Sequence, residues 1–221
     1  MIRNKGSVLL KGVRCLERRA ATTAELQQWK WLKDRGHAVN PCNSKLHPAF
    51  AAGIIFEGEE LSVQAAYTPN SNCFGCGPAA KDGLHLKSFR VQNGLSATVR
   101  LDKKYQAFPG IINGGIISAL FDCHGNWTAA IALMDRAKLP RPPLTLTAEL
   151  LVKYREATPP NEQLVVRSNV VNIKDNAEQI GGGKPAVQVN ITLHQAEEDG
   201  GERLLATATG VFKKLGALRA L

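Results

Sequence analysis

The segment from Asn113 to Met134 is almost wholly apolar, and it constrains the fold more than any other part of the chain. A helix that is apolar on all sides has to be buried. Asn113 stands where such a helix would begin, because Asn is a strong N-cap residue. We therefore predict one long buried helix here, with the rest of the domain arranged to cover it.

Segments with the pattern of strands lie on both sides of this helix. Before it, the runs 84–91 and 95–101 are separated by Gln92-Asn93-Gly94, and an Asn-Gly turn between such runs indicates a hairpin. Residues 103–112 are predicted to be a loop. After a proline-rich stretch that forbids helix, further strand-like runs follow at 144–155, 163–173, 186–195 and 203–213. An antiparallel sheet wrapped around one central helix is the simplest way to bury that helix, so we predict an α+β fold.

The N-terminal third of the chain is different in character. Residues 1–24 hold six Lys or Arg residues against one Glu, within a chain of net charge +9. This amphipathic, arginine-rich segment predicts a mitochondrial targeting presequence, and the alternative is a solvated basic tail. Residues 25–72, with one short helix at 25–35, are predicted to be an accessory extension that lies on the main domain at 73–214.

Composition and patterning exclude two classes of protein. The longest apolar stretch is interrupted by Asp122, His124 and Asn126, so no membrane span is predicted. The basic charge is not accompanied by a recognisable nucleic-acid motif, so nucleic acid is not a predicted partner. With 44% hydrophobic and 21% charged residues, the composition is that of an ordinary soluble globular protein.

The chain has five cysteines, and this odd number favours free thiols in a reducing compartment. Cys73 and Cys76 have the spacing of zinc ligands, with His85 nearby. No second pair follows, however, and structural zinc takes four ligands. We interpret the segment as a tight turn at Gly75 and Gly77, and we predict neither a metal nor another cofactor.

Four motifs together resemble a known family. They are CFGCGP at 73–78, GLHL at 83–86, QAFPGIINGGIISALFD at 106–122 and LTAELLVKY at 146–154. In this order they resemble the hotdog-fold thioesterase superfamily, in particular its PaaI-like acyl-CoA thioesterase branch. The resemblance implies an antiparallel sheet around one long helix, an acyl-CoA substrate, and a homodimer or dimer of dimers with active sites between subunits.

The start of the helix has the properties of an oxyanion site. The first backbone N–H groups of a helix have no partner within it, and the helix dipole is positive there. Glycine lets a substrate oxygen approach closely, although Gly114 and Gly115 could instead serve tight helix packing. The resemblance assigns the oxyanion donor to Gly114, with Asn113 and Gly115 beside it in the substrate site.

Asp122 lies in one stripe with Ser118 and Asn126, at i, i+4 spacing. A polar line along an apolar helix marks a site or an interface. The resemblance implies that Asp122 is the general base or nucleophile, acting on a substrate held by the glycine of the other subunit. The alternative is a structural Asp that is bonded to a strand hydroxyl.

Other positions follow from the match of motifs. Gln106 corresponds to an amide near the thioester carbonyl, or else to a surface loop residue. Thr147 corresponds to a hydroxyl that assists the nucleophile, or else to an ordinary strand Thr. Basic residues that flank this region, among them Lys103, Lys104, Lys153 and Arg155, could meet the phosphates of coenzyme A or be solvated charges. His124 lies off the polar stripe and is predicted to be a packed or interface histidine.

One residue departs from the family pattern. The family usually has His before the two glycines, and this chain has Asn113. The predicted function is hydrolysis of acyl-CoA thioesters. The alternative is a catalytically weakened hotdog domain that serves as a structural subunit of a mitochondrial assembly or as an acyl-CoA sensor.

Overall fold

The computed structural model describes residues 23–54, 58–174, 184–197 and 200–217. The presequence predicted at 1–24 lies almost wholly outside these residues, and mitochondrial targeting remains a prediction. The domain boundaries at 25–72 and 73–214 also remain predictions.

Within the described residues the chain forms four helices and eight strands. The helices are α1 (Thr23–Asp34), α2 (Pro48–Ala51), α3 (Val63–Tyr67) and α4 (Gly114–Ala137). The strands are β1 (Phe89–Val91), β2 (Gly94–Val99), β3 (Gln106–Phe108), β4 (Ile111–Ile112), β5 (Pro143–Tyr154), β6 (Leu164–Lys174), β7 (Ala186–Ala196) and β8 (Glu202–Ala217).

Six of the strands form one antiparallel sheet in the order β1-β2-β6-β7-β8-β5, and α4 packs across it. The helix comes so close to the sheet that a Cβ on Gly125 would lie 2.4 Å from the ring of Phe212. The main core is made of α4 side chains and those of the strands beneath, with Leu120, Phe121 and Phe212 fully buried. This arrangement confirms the predicted hotdog fold.

The first strand is shorter than predicted. The run 84–91 was expected to be one strand, but β1 begins only at Phe89. The reason is that the N–H groups of Leu84 and Leu86 bond instead to the carbonyls of Phe74 and Gly75. Leu84 and Leu86 are therefore bonded to the CFGCG loop and do not extend β1.

The segment 103–112 is also more ordered than the predicted loop. It contains a 3-10 turn at Lys103–Tyr105, which the side chain of Asp102 caps, and the small two-stranded sheet β3–β4. The N–H of Asn113 donates to the carbonyl of Tyr105 at 2.9 Å. The start of α4 is therefore tied directly to this turn.

Residues of the N-terminal extension cover the outer side of α4. Val63 and Tyr67 of α3 join Ile131 and Met134 of α4 in one buried cluster. The ring of Tyr67 also stacks on Trp127, with centroids 6.5 Å apart. The sheet covers one side of the apolar helix and the extension covers part of the other, which explains how a helix apolar on all sides avoids water.

Candidate functional site

Asn113 caps the start of α4. Its Oδ1 accepts the backbone N–H of Gly115 at 2.7 Å, and its own backbone is extended, with φ −60° and ψ 132°. The N–H of Gly114 has no partner among the described residues. Gly114 therefore offers the free donor at the positive end of the helix, which is the role that the resemblance assigns to it.

The same type of cap occurs elsewhere in this chain with an imidazole. His47 caps α2 through its Nδ1, which accepts the N–H of Ala49 at 3.0 Å. Either an Asn or a His can thus bond the N–H two residues ahead. The departure at Asn113 from the family pattern leaves the helix cap intact.

A cavity of about 400 Å³ opens at this end of the helix. It is lined by Lys104, Tyr105, Gln106, Asn113, Gly115 and Ile116. Three predicted site residues of the motif at 106–122, namely Gln106, Asn113 and Gly115, therefore share one cavity. The link between the 3-10 turn and Asn113 brings them together.

Tyr154 was not singled out from the sequence, although it ends the motif at 146–154. Its hydroxyl donates to the carbonyl of Gly114 at 2.8 Å and lies 2.8 Å from the Oγ of Ser118. A Cβ on Gly114 would lie 3.1 Å from this phenol. The last residue of β5 thus fixes the first turn of α4.

The polar stripe of α4 faces β5. Thr147 Oγ1 donates to Asp122 Oδ1 at 2.5 Å, and Thr145 Oγ1 donates to Asn126 Oδ1 at 2.6 Å. The register of β5 against β8 shifts between Thr147 and Glu149, and such bulges re-aim side chains next to sites. The Asp122–Thr147 contact agrees both with the predicted catalytic pair and with a structural Asp bonded to a strand hydroxyl.

Asp122 and the N–H of Gly114 are far apart within one chain. They are separated by eight residues of one helix, which corresponds to roughly 12 Å along its axis. A reacting thioester group has to lie about 3 Å from both the base and the oxyanion donor. One chain by itself cannot place both groups on the same carbonyl.

Lys153 and Arg155 lie on either side of Tyr154 at the end of β5, and both are exposed. Neither of them lines the cavity at the helix start, whereas Lys104 does. Of these basic residues, Lys104 therefore shares the cavity with Gln106 and Asn113.

His124 is fully buried and packed, which is one of the two predicted interpretations. Its Nε2 donates to the carbonyl of Leu95 at 3.1 Å, so its Nδ1 accepts from Ser88 Oγ at 2.9 Å. Ser88 in turn bonds the side-chain amide of Gln64 in the extension. Burial lowers the pKa of His124 to about 4, so this imidazole is a neutral link between α4 and the extension.

We expect the free energy of unfolding to fall as pH drops from 6.5 towards 4. An unfolded His binds a proton below its ordinary pKa of 6.5, whereas folded His124 stays neutral down to about 4. Denaturant titrations at several pH values measure this slope. His124→Gln should reduce it by up to about 1.4 kcal/mol per pH unit, and exposed His37→Gln should not. Equal slopes in both variants would contradict the assignment.

The fold and these contacts define a hotdog domain in which Asn113 caps the start of α4 and Asp122 bonds to Thr147 further along the helix. No model of a protein family matches the chain, and no curated protein matches it either. No helix among the described residues is both long and apolar enough to cross a membrane.

Solved structures that are similar to part of the chain include two that are named as thioesterases and the PaaI protein. A thioesterase superfamily protein from Shewanella loihica is 26% identical, with 59% of this chain and 90% of that chain covered and a TM-score of 0.42. A hypothetical thioesterase from Streptococcus pneumoniae, solved with coenzyme A, is 15% identical over 61% and 88% of the two chains, with a TM-score of 0.45. The PaaI protein of E. coli is 11% identical over 61% and 82%, with a TM-score of 0.44. The fold assignment is taken from the strand order and the helix described above.

Proposed function

We propose that this protein hydrolyses acyl-CoA thioesters to free acid and coenzyme A. The observation that carries the proposal is the cavity at the start of α4, where Gln106, Asn113 and Gly115 meet beside the free N–H of Gly114. Hydrolysis of a thioester needs a hydrogen-bond donor to the carbonyl oxygen, which becomes negative during the reaction. The N–H of Gly114 is suited to this task because it lies at the positive end of the helix dipole.

Asp122 supplies the second requirement, an activated water. The carboxylate accepts a proton from water while the water oxygen bonds to the carbonyl carbon, and the carbonyl electrons move to the oxygen held by Gly114. When the carbonyl reforms, the C–S bond breaks and the thiolate takes the proton back from Asp122. Direct attack by the carboxylate is the covalent variant of the same role.

Thr147 orients the base. Its hydroxyl donates to Oδ1 of Asp122, and Oδ2 has no hydrogen-bond partner among the described side chains. One carboxylate oxygen is therefore fixed, and the other remains to accept a proton from water.

Basic residues near the cavity suit the phosphates of coenzyme A. Lys103 and Lys104 are exposed on the 3-10 turn, and Lys104 also lines the cavity. A lysine binds phosphate as a point charge. Lys153 and Arg155 are further candidates, because they flank Tyr154, which contacts Gly114.

A second copy of the chain is required by the distance between Gly114 and Asp122. β5 lies at the end of the sheet and pairs only with β8 among the described strands. Leu146, Leu151 and Tyr154 of this strand are 51%, 61% and 52% exposed. An edge with unpaired backbone groups and exposed apolar side chains is suited to pair with another edge. We propose that two β5 strands pair and bring Gly114 of one subunit to Asp122 of the other.

We expect a homodimer, or a dimer of dimers, at micromolar concentration. Sedimentation equilibrium measures this directly on the purified chain. A monomer that hydrolyses acyl-CoA at full rate would contradict the site between subunits.

The function itself is tested by incubating the protein with acyl-CoAs of different chain length and detecting the free thiol. Release of coenzyme A from at least one of them, at a rate that saturates with substrate, is the expected result. If the protein binds acyl-CoA without releasing thiol, hydrolysis is excluded and the acyl-CoA sensor becomes the better description.

A further inference from the structure

Three cysteines from distant parts of the sequence meet beside α4. Cys73 and Cys76 lie in the CFGCG loop, and Cys123 follows Asp122 on the helix. Their Sγ atoms all lie within 4.8 Å of one another, and those of Cys73 and Cys123 are 3.7 Å apart. All three are free thiols. The C-x-x-C pair thus has a third thiol that sequence spacing could not reveal.

The loop is shaped to approach Cys123. A Cβ on Gly75 would lie 2.4 Å from Cys123 Sγ, and one on Gly77 would lie 2.4 Å from the backbone of Cys73 and Ser71. The N–H of Gly77 closes the turn on the carbonyl of Cys73 at 2.8 Å. The tight turn predicted at these glycines is therefore present, and the lack of side chains on both lets the two loop thiols reach the helix.

Metal ions bind the thiolate form of cysteine, so a cation at this cluster displaces the thiol protons.

We propose that Cys73, Cys76 and Cys123 form a binding site for a thiophilic divalent cation of the Zn²⁺ type. Two thiolates about 2.3 Å from a tetrahedral Zn²⁺ lie roughly 3.8 Å apart, and the Cys73–Cys123 separation of 3.7 Å agrees with this. Three sulfur ligands favour Zn²⁺ and Cd²⁺ over Mg²⁺ or Ca²⁺, which prefer oxygen.

The fourth coordination position is left for water or another small ligand. Among the residues that the structure describes, the group contains no fourth His, Cys, Asp or Glu. Cys73 is exposed, so a cation has a path from solvent, and Cys76 also lines a cavity of about 320 Å³. A site with three protein ligands and one open position is a known zinc arrangement.

The cation would hold the CFGCG loop against α4. The same loop already holds Leu84 and Leu86 through its carbonyls at Phe74 and Gly75. A metal on Cys123 therefore joins three segments at the helix turn that carries Asp122. Its role is to hold this turn in place, and it takes no part in the proposed hydrolysis.

Titration of the full chain with Cd²⁺ tests the site. The chain is first stripped with a chelator and kept reduced by a phosphine, and the absorption of cadmium thiolate is then followed. We expect one Cd²⁺ per chain, with competition by an excess of Zn²⁺. Cys73→Ser and Cys123→Ser should bind at least about 100-fold more weakly. Loss of a residue that only hydrogen-bonds to a metal ligand already costs about 10–100-fold in affinity. Cys42→Ser, which changes a buried thiol outside the cluster, should bind like the wild type.

Thermal melting gives a second readout. A cation that binds only the folded chain raises Tm by mass action, so Zn²⁺ should raise Tm of the wild type and of Cys42→Ser but not of Cys73→Ser. Cys73 is exposed, so its variant is expected to fold even if Cys123→Ser does not. Absence of stoichiometric Cd²⁺ binding to the wild type, or equal binding by Cys73→Ser, would overturn the proposal. Both results are independent of whether the protein hydrolyses acyl-CoA.

Discussion

Asp122→Asn should lower the rate of acyl-CoA hydrolysis by about 10²–10⁴-fold, which is the usual contribution of a general base. The amide has nearly the same shape as the carboxylate and can still accept the hydrogen bond from Thr147, so the fold should be retained. An amide nitrogen or oxygen cannot, however, take up the proton of an attacking water. Steady-state kinetics with thiol detection measures the loss, and kcat should fall much more than KM rises.

A matched control separates the role of this carboxylate from the loss of any negative charge. Asp82 is exposed and has no hydrogen-bond or ion-pair partner among the described residues. Asp82→Asn should therefore leave both kcat and KM unchanged. If Asp122→Asn retains full hydrolysis while the dimer and the thermal stability are preserved, Asp122 is not the base.

Thr147→Val distinguishes the orienting hydroxyl from the base that it holds. Val keeps the β-branched shape of the strand residue and removes the donor to Asp122 Oδ1. The expected loss in kcat is smaller than that of Asp122→Asn, because the carboxylate is still present and only its orientation is relaxed. If Asp122 is instead only a structural partner of the strand, Thr147→Val will lose stability and both variants will keep kcat.

The long helix could be predicted from the sequence because its apolar residues and its N-cap are both local signals. Asn113 was expected to cap the helix, and its contact with Gly115 bears this out. The strands β5 to β8 lie within four residues of their predicted ends, since prolines and glycines separate them in the sequence.

Other features depend on contacts between distant residues, and no local pattern contains them. β1 is short because the CFGCG loop takes the backbone bonds of Leu84 and Leu86. Cys123 looks like one more apolar residue of α4 until the loop is placed beside it. The hydroxyl of Tyr154 meets Gly114 only because β5 lies against the start of the helix.

The candidate site could be predicted only in part, because it too depends on contacts between distant residues. Gln106, Asn113 and Gly115 belong to one motif, and the structure brings them into one cavity. Lys104 lines this cavity and Lys153 does not, because Lys104 lies on a 3-10 turn that the sequence pattern did not indicate.

Gly114→Pro should reduce hydrolysis by about 10²–10³-fold, the usual cost of losing one oxyanion donor. Proline removes the N–H and is tolerated at the first position of a helix. The residue before it must be extended, and Asn113 already has φ −60° and ψ 132°. Gly114→Ala is the matched control, because it adds the same Cβ beside Tyr154 but keeps the N–H. Its loss should be much smaller, and equal losses would mean that crowding against Tyr154, not the donor, is responsible.

The two inactive variants can then be combined to show whether the site is shared between subunits. Chains carrying Asp122→Asn and Gly114→Pro are co-expressed with different affinity tags, and the mixed dimers are isolated by successive purification on both tags. If Gly114 of one subunit works with Asp122 of the other, each mixed dimer has one site with both groups intact and one site that lacks both. We expect about half of the wild-type activity per dimer, from two variants that are each nearly inactive. If each chain contained a complete site, every site in the mixed dimer would lack one group, and activity would stay at the low level of the parents. The roughly 12 Å between the two groups along one helix is the physical reason to expect recovery.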